Sequence, residues 1–223
     1  MYYSQHKWYS TLLLSMCILL FIVLFTSGCA TIQPNPNNPI ARVAVLPMTN
    51  NSNDIDGPVF VRGALNNMIT GRFYETVPLE KIDESLKDKM GITLGGQLDF
   101  SNPGAGAPLP QQIGELLEVD GLFYGTLIEF KQIITGVYNK RKVKAKLKLV
   151  NAKTGEVVWE NEAEHSNSEF NLSLSSAAEA AMKKVVGTAI DKSLKLNPLA
   201  AETNAMASKL TGTIPPGPVI RGR

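Results

Sequence analysis

Cys29 is the residue whose type and setting most directly suggest covalent chemistry. It follows Thr26-Ser27-Gly28, three small residues, and these close an apolar run of about fifteen residues from Thr11 to Phe25. Residues 1–10 carry one positive side chain, Lys7, and no acid. A positive start, an apolar middle and a small-residue site, in that order, make a secretory signal peptide over residues 1–28, with Thr26, Ser27 and Gly28 as its cleavage context. The competing reading is an uncleaved membrane helix. Crossing a bilayer takes about 20 apolar residues, and Tyr9 to Gly28 reaches that length only by counting Thr, Ser and Gly. Cys17 sits inside the apolar run as one more apolar residue.

Beyond residue 28 the chemistry thins out. One Cys, one His and one Trp remain there: Cys29, His165 and Trp159. A single Cys forms no internal disulfide and no Cys-based zinc cluster, and a single His builds no multi-histidine metal site. His165 lacks a Cys–His or Ser–His–Asp spacing, so it reads as a residue at a strand end rather than a general base. Gly95-Gly96 and Gly104-Ala105-Gly106 lack the Lys-Ser/Thr ending of a phosphate loop. Asp83, Glu84 and Asp88 fall on the exposed side of an amphipathic helix, where carboxylates are routine. The expectation is a protein with no catalytic residues, no metal and no cofactor. With 22 Lys+Arg against 20 Asp+Glu, the charge balance also argues against a nucleic-acid partner.

Lys140, Arg141, Lys142, Lys144, Lys146 and Lys148 form the most conspicuous charge feature. Val143, Ala145, Leu147 and Leu149 alternate with the lysines, as on a strand with one wet face. Glu160, Glu162 and Glu164 follow on the next strand at the same even parity. In an antiparallel pair the opposed residue numbers sum to a constant. An even sum sets Lys opposite Glu and brings Leu147 or Leu149 to Trp159 on the other face, whereas an odd sum would set lysines against Trp159 and Ala163. The stripe is therefore expected to be neutralised by its neighbour. Lys140 and Arg141 are left as candidates for an anionic contact.

These residues need elements to hold them. Arg42 to Pro47 has the pattern of a buried strand, and a polar loop runs from Thr49 to Asp56. Asp56 and Pro58 then open a helix whose apolar stripe is Val61, Leu65, Met68 and Ile69. Tyr74 to Val77 reads as a strand. Leu79, Ile82, Leu86 and Met90 mark a helix stopped by Gly91. Residues 91–109 are Gly/Pro-rich, and Ile113, Leu116 and Leu117 mark a short helix. Strands follow at Leu122–Phe130, Lys142–Val150 and Val157–His165. A helix spans about Ser173 to Leu194, with Ala178, Met182, Val185 and Ala189 on one face. The order β-α-β-α-α-β-β-β-α gives an α/β fold, a mixed sheet with helices packed on it. The expected organisation is a signal peptide (1–28), Cys29 with an extended tether (29–40), one α/β domain (41–195) and a flexible Pro/Gly-containing tail (196–223).

A cysteine at the cut resembles the bacterial lipobox, in which the thiol is acylated and becomes the new first residue. Thr26 stands where that motif usually has Leu, with Leu24 and Phe25 just upstream. By resemblance to lipoprotein sorting rules, Ala30 after the cysteine implies the outer membrane, with the domain facing the periplasm. Each buried CH₂ of the lipid contributes about 0.8 kcal/mol, so several acyl chains would anchor the protein to membrane lipid. The Pro/Asn-rich stretch from Ile32 to Pro39 would reach on the order of 30 Å if extended.

Three further segments carry a family resemblance: Arg42-Val43-Ala44-Val45-Leu46-Pro47, Val119 to Leu127, and Leu149 to Trp159 with its Asn151-Ala152-Lys153-Thr154-Gly155 turn. Together they resemble a bacterial lipoprotein family of unknown function whose domain is similar to the TolB amino-terminal domain. The curli-secretion lipoprotein and the lipoprotein activators of peptidoglycan synthases share that layout. The resemblance implies a non-catalytic, TolB-like envelope protein that binds other proteins. Cys29 is the one functional residue it carries over. The expected function is an adaptor or assembly factor of a cell-envelope complex, partnered by other envelope proteins or by a second copy of itself. The alternatives are a homo-oligomeric subunit of a secretion apparatus and a small-ligand-binding domain.

Overall fold

The structure is a computed structural model that describes residues 32–92, 109–135, 138–170 and 197–219. The first strand, β1 (Arg42–Val45), is apolar on both faces: Val43 and Val45 point to one side of the sheet, Ala44 and Leu46 to the other. A strand covered on both faces carries such a continuous apolar run. A two-residue strand, β2 (Thr49–Asn50), follows, within what the sequence suggests is only a loop. It is too short to show a period, and it exists because Thr49 and Asn50 align with Thr126 and Leu127 further along the chain.

Helix α1 (Gly57–Thr70) carries Pro58 in its first turn and buries Val61, Leu65 and Ile69 completely. Asp56 was the expected cap, but its side chain makes no capping hydrogen bond. Asp54 does that work instead, its Oδ1 accepting from the amides of Gly57 at 2.7 Å and Asp56 at 3.1 Å. Next come β3 (Glu75–Thr76) and helix α2 (Leu79–Met90). That helix stops at Gly91, whose φ of 67° is the left-handed conformation that glycine adopts without steric penalty. Helix α3 (Pro110–Leu117) leads into three long strands, β4 (Gly121–Ile134), β5 (Tyr138–Asn151) and β6 (Val157–Phe170). These outrun the expected strands at their hairpin ends because Gln132, Ile133, Arg141 and Asn167 continue the pairing.

The strands form one sheet in the order β3-β1-β4-β5-β6, with β2 alongside β4. Contacts of β1 with β3 and β4, and of β2 with β4, are parallel; β4–β5 and β5–β6 are antiparallel. The fold is therefore the α/β mixed sheet expected from the element order. Period-2 alternation divides its apolar residues between two cores. On one face Phe123, Leu127, Leu147 and Leu149 meet α1. On the other, Leu122, Tyr124 and Val150 meet Ile82 and Leu86 of α2 and Ile113 and Leu117 of α3.

Two expectations about the ends of the domain are overturned. Residues 196–223 are not a flexible tail over the part described: a helix, α4 (Ala200–Thr211), packs on β5 and β6 and buries Met206, Ala207 and Leu210 in the first core, with Leu199 and Ile214 at its ends. Each such large side chain contributes about 1.5–3 kcal/mol, enough to hold the segment down. Nor is residues 29–40 an extended tether throughout. The Asn35 amide donates to the Gly217 carbonyl at 2.9 Å, the Asn38 amide group donates to the Pro216 carbonyl at 2.9 Å, and Ile40 is buried. The Gly217 and Val219 amides in turn donate to Arg72 and Phe73. The helix expected over Ser173–Leu194 lies outside the described residues, as do residues 93–108.

Candidate functional site

The charge stripe lies on one face of the β5–β6 hairpin. Its register is the even-sum one: Lys144 opposes Glu164, Lys146 opposes Glu162, Lys148 opposes Glu160, and Leu149 opposes Trp159. On the reverse face Trp159 meets the Phe123 ring edge-on at 6.5 Å between centroids. The ammonium groups reach diagonally rather than straight across. Lys144 Nζ lies 2.7 Å from Glu162 Oε1, Lys142 Nζ lies 3.0 Å from Glu164 Oε2, and Lys146 pairs with Glu160. Leaning along the strand lets a long Lys meet a shorter Glu without folding back.

A second row extends the network to β4. A register shift between Leu127 and Glu129 brings Glu129 onto the charged face, where Lys131 Nζ is 2.6 Å and Lys142 Nζ 3.0 Å from its carboxylate. Hydrogen bonds from Lys131 and then Lys142 pull the Glu129 carboxyl down to about 2. The same contacts, Glu164 first, raise Lys142, and Glu162 raises Lys144. Lys148 sits 5.3 Å from the centre of the Tyr124 ring, and burial pushes that phenol up to about 12. The stripe is thus a neutralised ladder, as its parity implies.

The two side chains left over at the strand's start fare differently. Arg141 is taken: its Nη1 is 3.5 Å from Oε1 of Glu202, a carboxylate that α4 buries. No sequence pattern could have shown this while α4 was unrecognised. Lys140 faces Ser168 on β6 and Ile133 on β4.

Other titratable groups are structural. Arg62, only 4% exposed, donates from Nε to the Val45 carbonyl at 2.9 Å and from Nη1 to both oxygens of Asp83, at 2.7 and 2.9 Å. Burial lowers its pKa against the opposing pull of Asp83. Asp83 is therefore not the wet-face carboxylate expected of it; it is 23% exposed and ties α2 to α1. His165 lies within β6 opposite Val143, not at a strand end, because the strand continues to Phe170. A shallow cleft of about 460 Å³ is lined by Gln111, Glu115, Glu118, Asp120 and Lys153. Two of its three acids are already engaged: Asp120 Oδ2 accepts from the Ala41 and Arg42 amides, and Glu118 is 3.8 Å from Arg42.

Among the described residues no cluster of His, Cys, Asp and Glu is arranged to hold a metal ion, and no helix is long and apolar enough to cross a membrane. Thr26, Ser27, Gly28 and Cys29 lie outside the described residues.

The mixed sheet with helices on both its faces defines an α/β domain whose outer hairpin is ion-paired. The chain belongs to the family described as "Putative lipoprotein GNA1162-like", whose model matches residues 36–219. Its fold is similar to that of lipoprotein GNA1162 from Neisseria meningitidis, at 20% identity and a TM-score of 0.50, over 67% of this chain and 98% of that one. Weaker likenesses are to the PelC dodecamer from Paraburkholderia phytofirmans (9% identity, TM-score 0.45, 85% and 96% of the two chains) and to the LpoB C-terminal domain from Salmonella enterica (13%, 0.40, 60% and 88%). No curated protein sequence matches the chain significantly.

Proposed function

We propose that the protein is a lipid-anchored, non-catalytic adaptor or assembly factor of the cell envelope, held on the periplasmic side of the outer membrane through an acylated Cys29. The observation that carries this reading is the family match: it spans the folded domain and starts only seven residues after Cys29. The lipid-bearing residue and the domain are then parts of one lipoprotein. Cleavage after Gly28 would leave Cys29 as the first residue, and Ala30 directs the product outward. The charge pattern agrees with a binding role. Carboxylates and cations that could do chemistry are tied up in the hairpin ladder, the Arg62–Asp83 pair and the Arg141–Glu202 pair.

The test is fractionation of the Cys29→Ala variant beside the native chain, with mild cross-linking of the native protein in cells and identification of the adducts by mass spectrometry. The expected result is loss of the variant from the outer-membrane fraction and adducts joining the native chain to other envelope proteins. A variant retained in the membrane would refute the lipid anchor. Adducts consisting only of this chain would refute the adaptor in favour of a homo-oligomer.

A further inference from the structure

The two ends of the β6 edge are built differently. β6 is the outer strand of the sheet, and the Glu162 amide and the Glu164 carbonyl both bond to groups other than β5, so the amides and carbonyls of its even residues point outward. In the near half this edge is plugged. The Glu162 amide donates to Asn161 Oδ1 at 2.9 Å, and Lys209 of α4 donates to the Glu164 carbonyl at 3.2 Å. Asn161 is itself pinned by the Leu210 carbonyl and Thr213. In the far half, from Ser166 to Phe170, no such plug is found among the described residues.

That open half coincides with an apolar, cationic corner. Phe170 is 68% exposed and its ring lies 4.8 Å from that of Tyr138, while Ile133 on the same face is 44% exposed. Between them stands Lys140, whose cross-strand neighbours are Ser168 and Ile133. No carboxylate among the described residues lies within ion-pair distance of it. Because Ser168 is small, the Lys140 side chain can pass over it toward a strand added outside β6, two strand spacings or about 10 Å away.

We propose that the Ser166–Phe170 edge of β6 takes up an extended segment of a partner protein, with an acidic side chain opposite Ser168 for Lys140 and an apolar side chain two residues along, opposite Phe170 and the Tyr138 ring paired with it. Backbone hydrogen bonds to an exposed edge supply affinity in such additions, and alternate side chains supply specificity. A second copy of this chain fits poorly. A symmetric antiparallel register centred on Ser168 would direct both Lys140 ammonium groups toward each other with no acid between. The inference rests on the adaptor reading and names the surface it would use.

The probe is a labelled, end-blocked heptapeptide, Thr-Val-Thr-Glu-Thr-Val-Thr, compared with its Glu-to-Lys counterpart by fluorescence anisotropy on the detergent-extracted full chain. The expected result is at least tenfold tighter binding of the Glu peptide. Lys140→Glu should invert that preference, a readout that a merely structural role would not produce. Ser168→Pro removes an outward amide and leaves the ladder to β5 intact, so it should abolish binding of both peptides with little change in the urea midpoint. Equal binding of the two peptides, no binding of either, or a preference that survives Lys140→Glu would overturn the proposal. None of those results bears on the in-cell adducts, which test the adaptor reading independently.

Discussion

Replacing Asp83 by Ala would strand the Arg62 guanidinium in a site where it is 4% exposed, keeping its Nε bond to the Val45 carbonyl but losing both bonds from Nη1. Breaking a buried ion pair from one side costs about 3–5 kcal/mol. Asp83 is 23% exposed, so water entering its place recovers part of that loss, and roughly 2–4 kcal/mol is expected for this site. With a urea dependence of about 1–3 kcal/mol per M, the unfolding midpoint followed by circular dichroism should fall by about 1–2 M. Asp83→Asn keeps one acceptor and should fall about half as far. The double variant Arg62→Met, Asp83→Leu removes both charges and should be less damaging than Asp83→Ala alone, since apolar residues replace a buried pair at little cost. An Asp83→Ala midpoint within about 0.3 M of the native one, or a double variant weaker than the single, would refute the claim that the pair joins α1 to α2.

Three further outcomes are expected. Leu210→Ala should destabilise the chain by about 2–5 kcal/mol in the same urea assay; a loss below about 0.5 kcal/mol would restore the flexible-tail reading. Gly217→Ala drives a methyl into the Phe73 carbonyl oxygen and the Tyr74 ring, and should loosen the hydrogen bonds of Asn35, Gly217 and Val219, about 1 kcal/mol each, seen as faster amide exchange at those positions. The Glu129 carboxyl, held at about 2 against an ordinary 4.5, is depressed in the folded state. Its contribution to stability is thus present above about pH 4.5 and is lost as the pH falls toward 2. Carbon-detected NMR titration should show this, and Lys142→Met should move the midpoint upward.

Much of the sheet could be read from the residues because its signals are periodic. The even parity of Lys142 to Lys148 and of Glu160 to Glu164 suffices for the β5–β6 register, since a one-residue slip would have put lysines on Trp159. The stripe Val61, Leu65, Met68, Ile69 likewise marks α1, and Gly91 marks the stop of α2. What escaped reading depends on partners distant in the chain. β2 is two residues long and exists only through β4. Asp83 looks like any solvated carboxylate on α2 until Arg62 is found against it. The spacing Leu199, Met206, Leu210, Ile214 was present in the sequence, yet the neighbouring Pro215-Pro216-Gly217-Pro218 masked it. Those prolines and that glycine are themselves in place because Tyr74 donates to the Pro215 carbonyl and Gly217 pairs with Arg72.

The hydrogen bonds that bind Asn35 and Asn38 to the segment Pro215–Val219 also define a path for mechanical load. Tension applied to the chain ahead of Asn35 meets that segment first, through the Gly217 and Pro216 carbonyls. It next reaches Asp120, which holds the Ala41 and Arg42 amides, and then β1, flanked by parallel β3 and β4. A pull along β1 loads those two ladders in shear, with many bonds resisting together rather than one at a time. The β5–β6 hairpin stands off that path. It would keep its shape and its exposed corner while the junction at Asn35 absorbed the strain.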